Sequence, residues 1–319
     1  MRASVVIPVK DDPPIFHCVA SVQASAGPEL ELEVIVVDNG SARAFRASLE
    51  TLKPGVHVVD EPTPGAAAAR NAGVAAASGD VLLFTDADCV VHPGWPSAAI
   101  EGLRRTGADI LRGAAGGLAE TPGARLIEAS FAPRKRWRAG QRVGVDTKNM
   151  AARREVFDCL AFNPDSRRAE DAEFGREAEA LGLRVAFWPA MRVDHRHEER
   201  LRVFLAKRVC GGWVMERAAE RLAREHAAPG RKRRLARLGA ALPGARTRRV
   251  VAFGLVRTTL VAGSSLERLQ PIIGERAGGF ATRLLGSWAF GAGGFLYLAG
   301  FPQPHYASFL DGTAGRNLA

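Results

Sequence analysis

The chain of 319 residues has four cysteines, two tyrosines and only 7% aromatic residues. Cys18, Cys89, Cys159 and Cys210 stand far apart and form no CxxC pair. That spacing excludes a disulfide framework and a thiolate zinc site, and leaves free buried thiols in a reducing compartment. No G-x-G-x-x-G follows the first apolar run, which argues against a dinucleotide-dependent dehydrogenase. Helix-turn-helix and RNA-stacking signals are missing too, so nucleic acid is not expected as a partner. Acidic charge is in short supply: 34 Asp and Glu face 44 Lys and Arg, a net charge of +10. Such an excess suits phosphorylated small molecules or an anionic membrane surface. The opening "MRASVVIPVKDD" has too short an apolar run for a secretory signal, and no cleavage site, and reads as a first strand.

What is present is enough for a full core. Hydrophobic residues make up 47% of the chain and charged residues 24%, which fits one large domain, or a domain with an appendage. In the first half, apolar runs alternate with helical patterns. Ser4–Val9, Val34–Val37, "VHVVDE" and "VLLF" read as strands. Ile15, Val19 and Val22 mark one helix, and "GAAAARNAGVAAAS" another, opened by Pro64-Gly65 and stopped by Gly79. Continuous apolar strands separated by helices of about ten residues predict an α/β domain with a parallel sheet covered on both faces. Further on, "TKNMAARREVF" reads as a turn passing into a helix. "EDAEFGREAEALG" reads as a helix with Phe174, Ala178 and Leu181 on its apolar face, and "RVAFWP" as a strand followed by "VDHRH".

Polar residues gather where these strands end. Asp38 and Asn39 close the second strand, Glu61 follows the third, and Asp86 and Asp88 follow the fourth. Open α/β sheets bind ligands at that edge. Asp and Asn favour such turns in any case, which accounts for "DNGS". It accounts poorly for "DAD", where two like charges stand two positions apart and repel. A divalent cation, Mn2+ or Mg2+, shared with a phosphorylated ligand would remove that penalty.

Beyond residue 200 the composition changes to Arg-rich and apolar stretches. Residues 250–263 are apolar but contain Arg257, and residues 284–301 run for eighteen positions without a charge. Eighteen residues meet the lower limit for crossing a bilayer. Embedding in a membrane and packing as a buried helix both stay open for this segment. The basic run ahead of it fits an anionic leaflet. The expected division is a catalytic domain over 1–213 and a helical, membrane-associating region over 214–319. The expected location is the cytoplasmic face of the cell membrane, peripheral or anchored by the C-terminal segment.

Four stretches in order carry a resemblance: "SVVIPVKDD", "VIVVDNGS", "PGAAAARNAGVAAASGDVLLFTDAD" and "AEDAEFGREAEALG". Together, from Ser4 to about Trp213, they resemble the family 2 glycosyltransferases, whose nucleotide-sugar-binding fold is called GT-A. The resemblance implies a GT-A-type, Rossmann-like, mostly parallel sheet covered by helices. It implies a nucleoside-diphosphate-sugar donor touched by Pro8, Val9, Asp38, Gly65, Arg70, Asp86 and Ala87, with Asp38 at the nucleobase. Asn39 stands where the family frequently has a second Asp. Asp88 is implied as the metal ligand, with His195 as a further contact and His197 as its competitor. Asp171 is implied as the general base that deprotonates the acceptor hydroxyl, supported by Glu170. Asn71 is implied to brace the D-x-D loop. Lys148 and Asn149 fall where the family gathers acceptor and donor-sugar contacts. Arg134–Trp137 form a basic, aromatic stretch for which a phospholipid or lipid-phosphate acceptor and a plain solvated surface both stay open. The acceptor implied is a glycan or a lipid-linked cell-envelope glycan, and the reaction is inverting.

Two other classes share parts of this pattern. A nucleotidyltransferase also needs a metal on an α/β sheet, but usually has a Gly-rich basic loop where this chain has "PVKDDPP". A non-catalytic, membrane-associated binding protein on the same fold would not need Asp86, Asp88 and Asp171 intact.

Overall fold

The computed structural model describes residues 2–53, 55–119, 121–131, 137–166, 169–197, 200–225 and 245–298. The four apolar runs become strands β1 (Arg2–Val9), β2 (Glu31–Asp38), β3 (His57–Asp60) and β4 (Val81–Phe84). They lie side by side in the order β3-β2-β1-β4 and all run parallel, with Val5 opposite Val34 on one side and Leu83 on the other. Their side chains divide between two faces as the pleat requires. Val5, Ile7, Val34, Val36 and Leu83 pack with Ile15, Val19 and Val22 of helix α1 (Ile15–Ser25). Helix α2 (Arg43–Leu49) adds Leu49 to that side. Val6, Ile35, Val37, Leu82 and Phe84 face the other way, against helix α3 (Ala66–Ala76). Both faces are covered, so the strands read as unbroken apolar runs. The alanines of α3 let it lie close to the sheet. At Gly73 even a Cβ would fall 2.3 Å from a Val6 methyl.

The sheet then changes direction. Strand β5 (Cys89–Val91), helix α4 (Trp95–Thr106) and strand β6 (Ile110–Leu118) follow, and later β7 (Met150–Arg153) and β8 (Val185–Arg196). The full order is β3-β2-β1-β4-β7-β6-β8-β5. The pairs β4–β7, β6–β7 and β5–β8 are antiparallel. The sheet is therefore mixed, with a parallel half and an antiparallel-paired half, where the sequence suggests a mostly parallel one. "MAAR" is strand and not helix. Its Met150, Ala151 and Ala152 are buried, and pairing to β4 and β6 overrides their helix preference. "RVAFWP" and "VDHR" are one twelve-residue strand. Helix α6 (Glu170–Ala180) opens with its acids in the first turn, where the helix dipole favours them.

The chain forms two compact units. One comprises Met1–Gly117 and Arg136–Arg196, the other Leu118–Lys135 and His197–Ala319. The units part after Arg196, where composition suggests 213. Residue 213 lies inside an unbroken helix, α7 (Leu201–Glu225). The second unit also contains α5 (Pro122–Ser130), capped by the Thr121 hydroxyl accepting from Ala124 N, and α8 (Ala245–Leu298). The carboxylate of Glu267 on α8 accepts the Leu201 N–H at 3.2 Å, satisfying an open donor at the start of α7. Both apolar C-terminal stretches belong to α8, as far as residue 298. No helix among the described residues is long and apolar enough to cross a membrane. The basic stretch 134–136 and residues 299–301 lie outside the described residues.

Candidate active site

The parallel half of the sheet delivers its carboxyl ends to one edge, and a cavity of about 450 Å³ opens there. Of the expected donor contacts, Pro8, Val9, Gly65, Arg70, Asp86 and Ala87 line it, joined by Asp88 and Glu170. Gly65, with φ of 126°, occupies backbone space that side-chain-bearing residues rarely adopt, and it turns the chain directly into α3.

Asp38 is not among the lining residues. Its carboxylate accepts the Ser41 N–H at 3.2 Å and lies 3.5 Å from Arg46, so it is engaged in bracing its own turn. Asn39 beside it does line the cavity. Its amide donates to the carbonyls of Glu61 at 2.9 Å and Thr63 at 2.8 Å, and its oxygen accepts the Gly65 N–H at 2.7 Å. An Asp could not make the two donor bonds. The departure from the family's Asp–Asp pattern is thus a three-point latch on the loop that leads into α3.

Arg70 is buried on α3 and reaches two acids. One guanidinium nitrogen donates to Asp86 at 2.9 Å and the other to Glu170 at 2.6 Å. Burial works against its charge, and Asp86 and Glu170 more than offset that cost. Asn71, next to it, exchanges two hydrogen bonds with the backbone of Phe162, at 2.8 and 3.0 Å. It braces that segment, not the D-x-D loop expected from the resemblance.

Asp86, Asp88 and His195 converge, each offering one ligand atom with all of these within 4.8 Å of one another. The antiparallel register sets Cys89 opposite His195, and Arg196 N donates to the Asp88 carbonyl at 3.1 Å. His195 Nε2 then lies 3.4 Å from Asp88. Burial pushes the Asp88 carboxyl up, but the hydrogen bond and charge of His195, its own backbone N–H and the charge of Lys148 together hold the group below the usual carboxylate range. Two hard oxygens and an imidazole in one cluster fit a divalent cation of the Mn2+ or Mg2+ class. The competing His197 pairs instead with Glu128 at 2.6 Å and lies against the Phe131 ring. Cys18 and Cys89 are buried, and both burial and the nearby Asp86 and Asp88 push their thiols up, which keeps them protonated. Cys159 is exposed, against the expectation of buried thiols throughout.

Asp171 follows Glu170 in the first turn of α6. Burial, then the charges of Glu170 and Asp146, push its carboxyl up to about 7, although Lys148 and Arg70 pull the other way. Lys148 and Arg112 both bind Asp146, each at 2.5 Å. Burial would pull the Lys148 ammonium down, and Asp146 more than offsets it, so the charge is kept. Asn149 is a correction to the expected acceptor contacts. It is 1% exposed, accepts from Trp95 Nε1 at 2.8 Å and donates to the carbonyls of Ala114 and Met191. Its amide is consumed inside the core.

Sequence reasoning missed two members of the site. Asp12 lines the cavity, and burial followed by the charge of Asp88 pushes its carboxyl up. Its position after β1 is the same strand-end signal that marked Asp38 and Asp86. Asp146 carries no comparable signal, since it opens the turn Thr147–Asn149 and does not follow a strand of the parallel half.

Comparison with known proteins places this architecture. Residues 4–161 match the family model "Glycosyl transferase family 2". Over 118 residues the chain is 34% identical to "Glycosyltransferase AglE" of Haloferax volcanii, a match covering 34% of this chain and 38% of that one. Among solved structures, TarS of S. aureus is 16% identical with a TM-score of 0.50, covering 89% of this chain and 54% of TarS. A form of TarS spanning residues 1–349 gives the same identity and TM-score and covers 89% of both chains. The chain thus spans a little over a third of AglE and about half of TarS, and the structural likeness is one of fold. Residues 4–161, which supply every residue lining the cavity except Glu170 and include the D-x-D strand end, form a glycosyltransferase family 2 domain.

Proposed function

We propose that this enzyme moves a sugar from a nucleoside-diphosphate sugar to an acceptor hydroxyl by one inverting displacement, with Asp171 as general base. The observation that carries the reading is the Arg70 bridge. It ties Asp86, in the donor cavity, to Glu170, the residue next to Asp171. Donor-binding acids and a candidate base are thereby held in one cluster.

Asp86, Asp88 and His195 would hold a divalent cation, Mn2+ or Mg2+. When bound, it would neutralise charge on a diphosphate leaving group. Around it, Asn39 keeps the loop before α3 in place and Gly65 leaves the cavity wall open. Asp38 holds the turn that carries Asn39, and that turn supports nucleobase binding. Asp171, with its pKa of about 7, is partly ionised at neutral pH and is basic enough to take the acceptor proton at a carboxylate oxygen. Glu170 is committed to Arg70 and is poorly placed to act as a nucleophile, which favours single displacement over a covalent intermediate. Lys148 supplies a retained positive charge that moderates the Asp171 shift. The basic excess of the chain supports a glycan acceptor linked to a lipid phosphate.

The test is a screen of sugar nucleotides for release of free nucleoside diphosphate, with and without Mn2+, in the presence of membrane lipid extract. Release that depends on both metal and lipid extract supports the reading. No release from any donor contradicts it.

A further inference from the structure

We propose that one face of α8, carrying Phe280, Leu284 and Trp288, docks on an anionic lipid surface. The proposal does not depend on the transfer reaction. The three residues recur every four positions, so at 100° per residue they lie within one 80° sector of the helix. They are 56%, 48% and 64% exposed, and Ala277, three positions before Phe280, is exposed as well. Thr282 and Ala289 on the opposite side are fully buried, so α8 already has a separate face for its own packing. Three large apolar side chains in water on one stripe are not explained by folding.

Charge selects the occupant. No acidic residue occurs between Glu275 and Asp311. Exposed Arg283 flanks the stripe, with its guanidinium 5.5 Å from the centre of the Phe280 ring. Among the described residues no carboxylate pairs with it. A face that is apolar, aromatic and cationic matches the boundary of an anionic leaflet, where an indole and a phenyl ring enter the headgroup region and arginine meets lipid phosphate. A second copy of the same face would bring Arg283 against Arg283. No helix among the described residues is apolar enough to cross a bilayer, so the proposed contact is one of lying on the surface.

The experiment is co-sedimentation of the full chain with phosphatidylglycerol vesicles and with phosphatidylcholine vesicles. Phe280→Ser/Trp288→Ser and Arg283→Glu serve as variants, with circular dichroism and sedimentation velocity on each protein. The expected result is binding to the anionic vesicles only. The double variant, folded as the wild type, should bind at least about tenfold more weakly, and Arg283→Glu about fivefold or more weakly. Equal pelleting of the folded double variant overturns the proposal. So does absence of wild-type binding, equal binding to both vesicle types, or a wild-type dimer that the double variant abolishes without any vesicle binding. Nucleoside-diphosphate release from a soluble donor, measured alongside, keeps failure of this proposal separate from failure of the transfer reading.

Discussion

A guanidinium nitrogen of Arg70 lies 2.6 Å from the Glu170 carboxylate, although a hundred positions separate the two residues. This ion pair links helix α3, which borders the donor cavity, to the first turn of α6, where the candidate base sits. With Arg70 buried, the pair is weakly screened, and removing one partner leaves charge without compensation.

Arg70→Ala should therefore cost stability as well as activity. The expected loss is on the order of 3 kcal/mol, read by urea denaturation. Arg70→Lys keeps the charge but cannot reach both Asp86 and Glu170 with a planar fork. It should recover part of the stability while turnover stays low. Full activity in Arg70→Lys would show that the two-pronged link is dispensable.

The pH dependence follows from Asp171. As general base it must be ionised, and its carboxyl sits at about 7. Turnover should rise with pH through an acidic limb near that value. The same shift sets a stability trend. A carboxyl raised in the folded state stabilises the fold below its unfolded pKa, and that contribution is lost as pH rises through the folded value. Asp171→Asn should accordingly raise the melting temperature at pH 8 and have less effect at pH 5. An acidic limb near 4, or no gain from Asp171→Asn at pH 8, would contradict the assigned environment.

Asn39→Asp replaces two donated hydrogen bonds with a carboxylate facing two carbonyls. The predicted cost is about 1–3 kcal/mol of stability. The KM for the donor should increase more than kcat falls, because the residue positions a loop and touches no reacting atom. Steady-state kinetics over a range of donor concentrations separates the two effects.

Asp88→Ala removes one of three converging ligand groups. Mn2+ titration followed by electron paramagnetic resonance should show binding weakened at least about tenfold, independently of any turnover. His195→Ala should weaken it too, whereas His197→Ala, whose imidazole is held by Glu128, should leave Mn2+ binding unchanged.

The parallel half of the fold was legible because its strands are apolar on both faces and end in acids. That pattern places Asp86 and Asp88 at the ligand-binding edge, and the family resemblance adds Gly65 and Arg70; all four line the cavity. The antiparallel half was not legible. Met150–Arg153 is made of good helix formers, and only its neighbours β4 and β6 make it a strand. Asn149 looked like a ligand contact because a polar residue beside Lys148 is ambiguous in sequence. Its three buried partners, Trp95, Ala114 and Met191, come from distant segments. Strand register likewise brings His195 beside the acids, because it sets His195 opposite Cys89, one residue from Asp88. The Arg70–Glu170 pair had no local signal at all, since the loops between its partners fix its geometry.

The central claim is that Asp171 acts on the acceptor proton and not on the donor. Calorimetric titration of Asp171→Asn with the donor identified by the nucleotide-release screen, paired with its turnover number, tests this most directly. The account predicts a donor Kd close to that of the wild type and a kcat lowered by about 10²–10⁴-fold. A variant that turns over at the wild-type rate, or one that loses donor binding along with turnover, would contradict it.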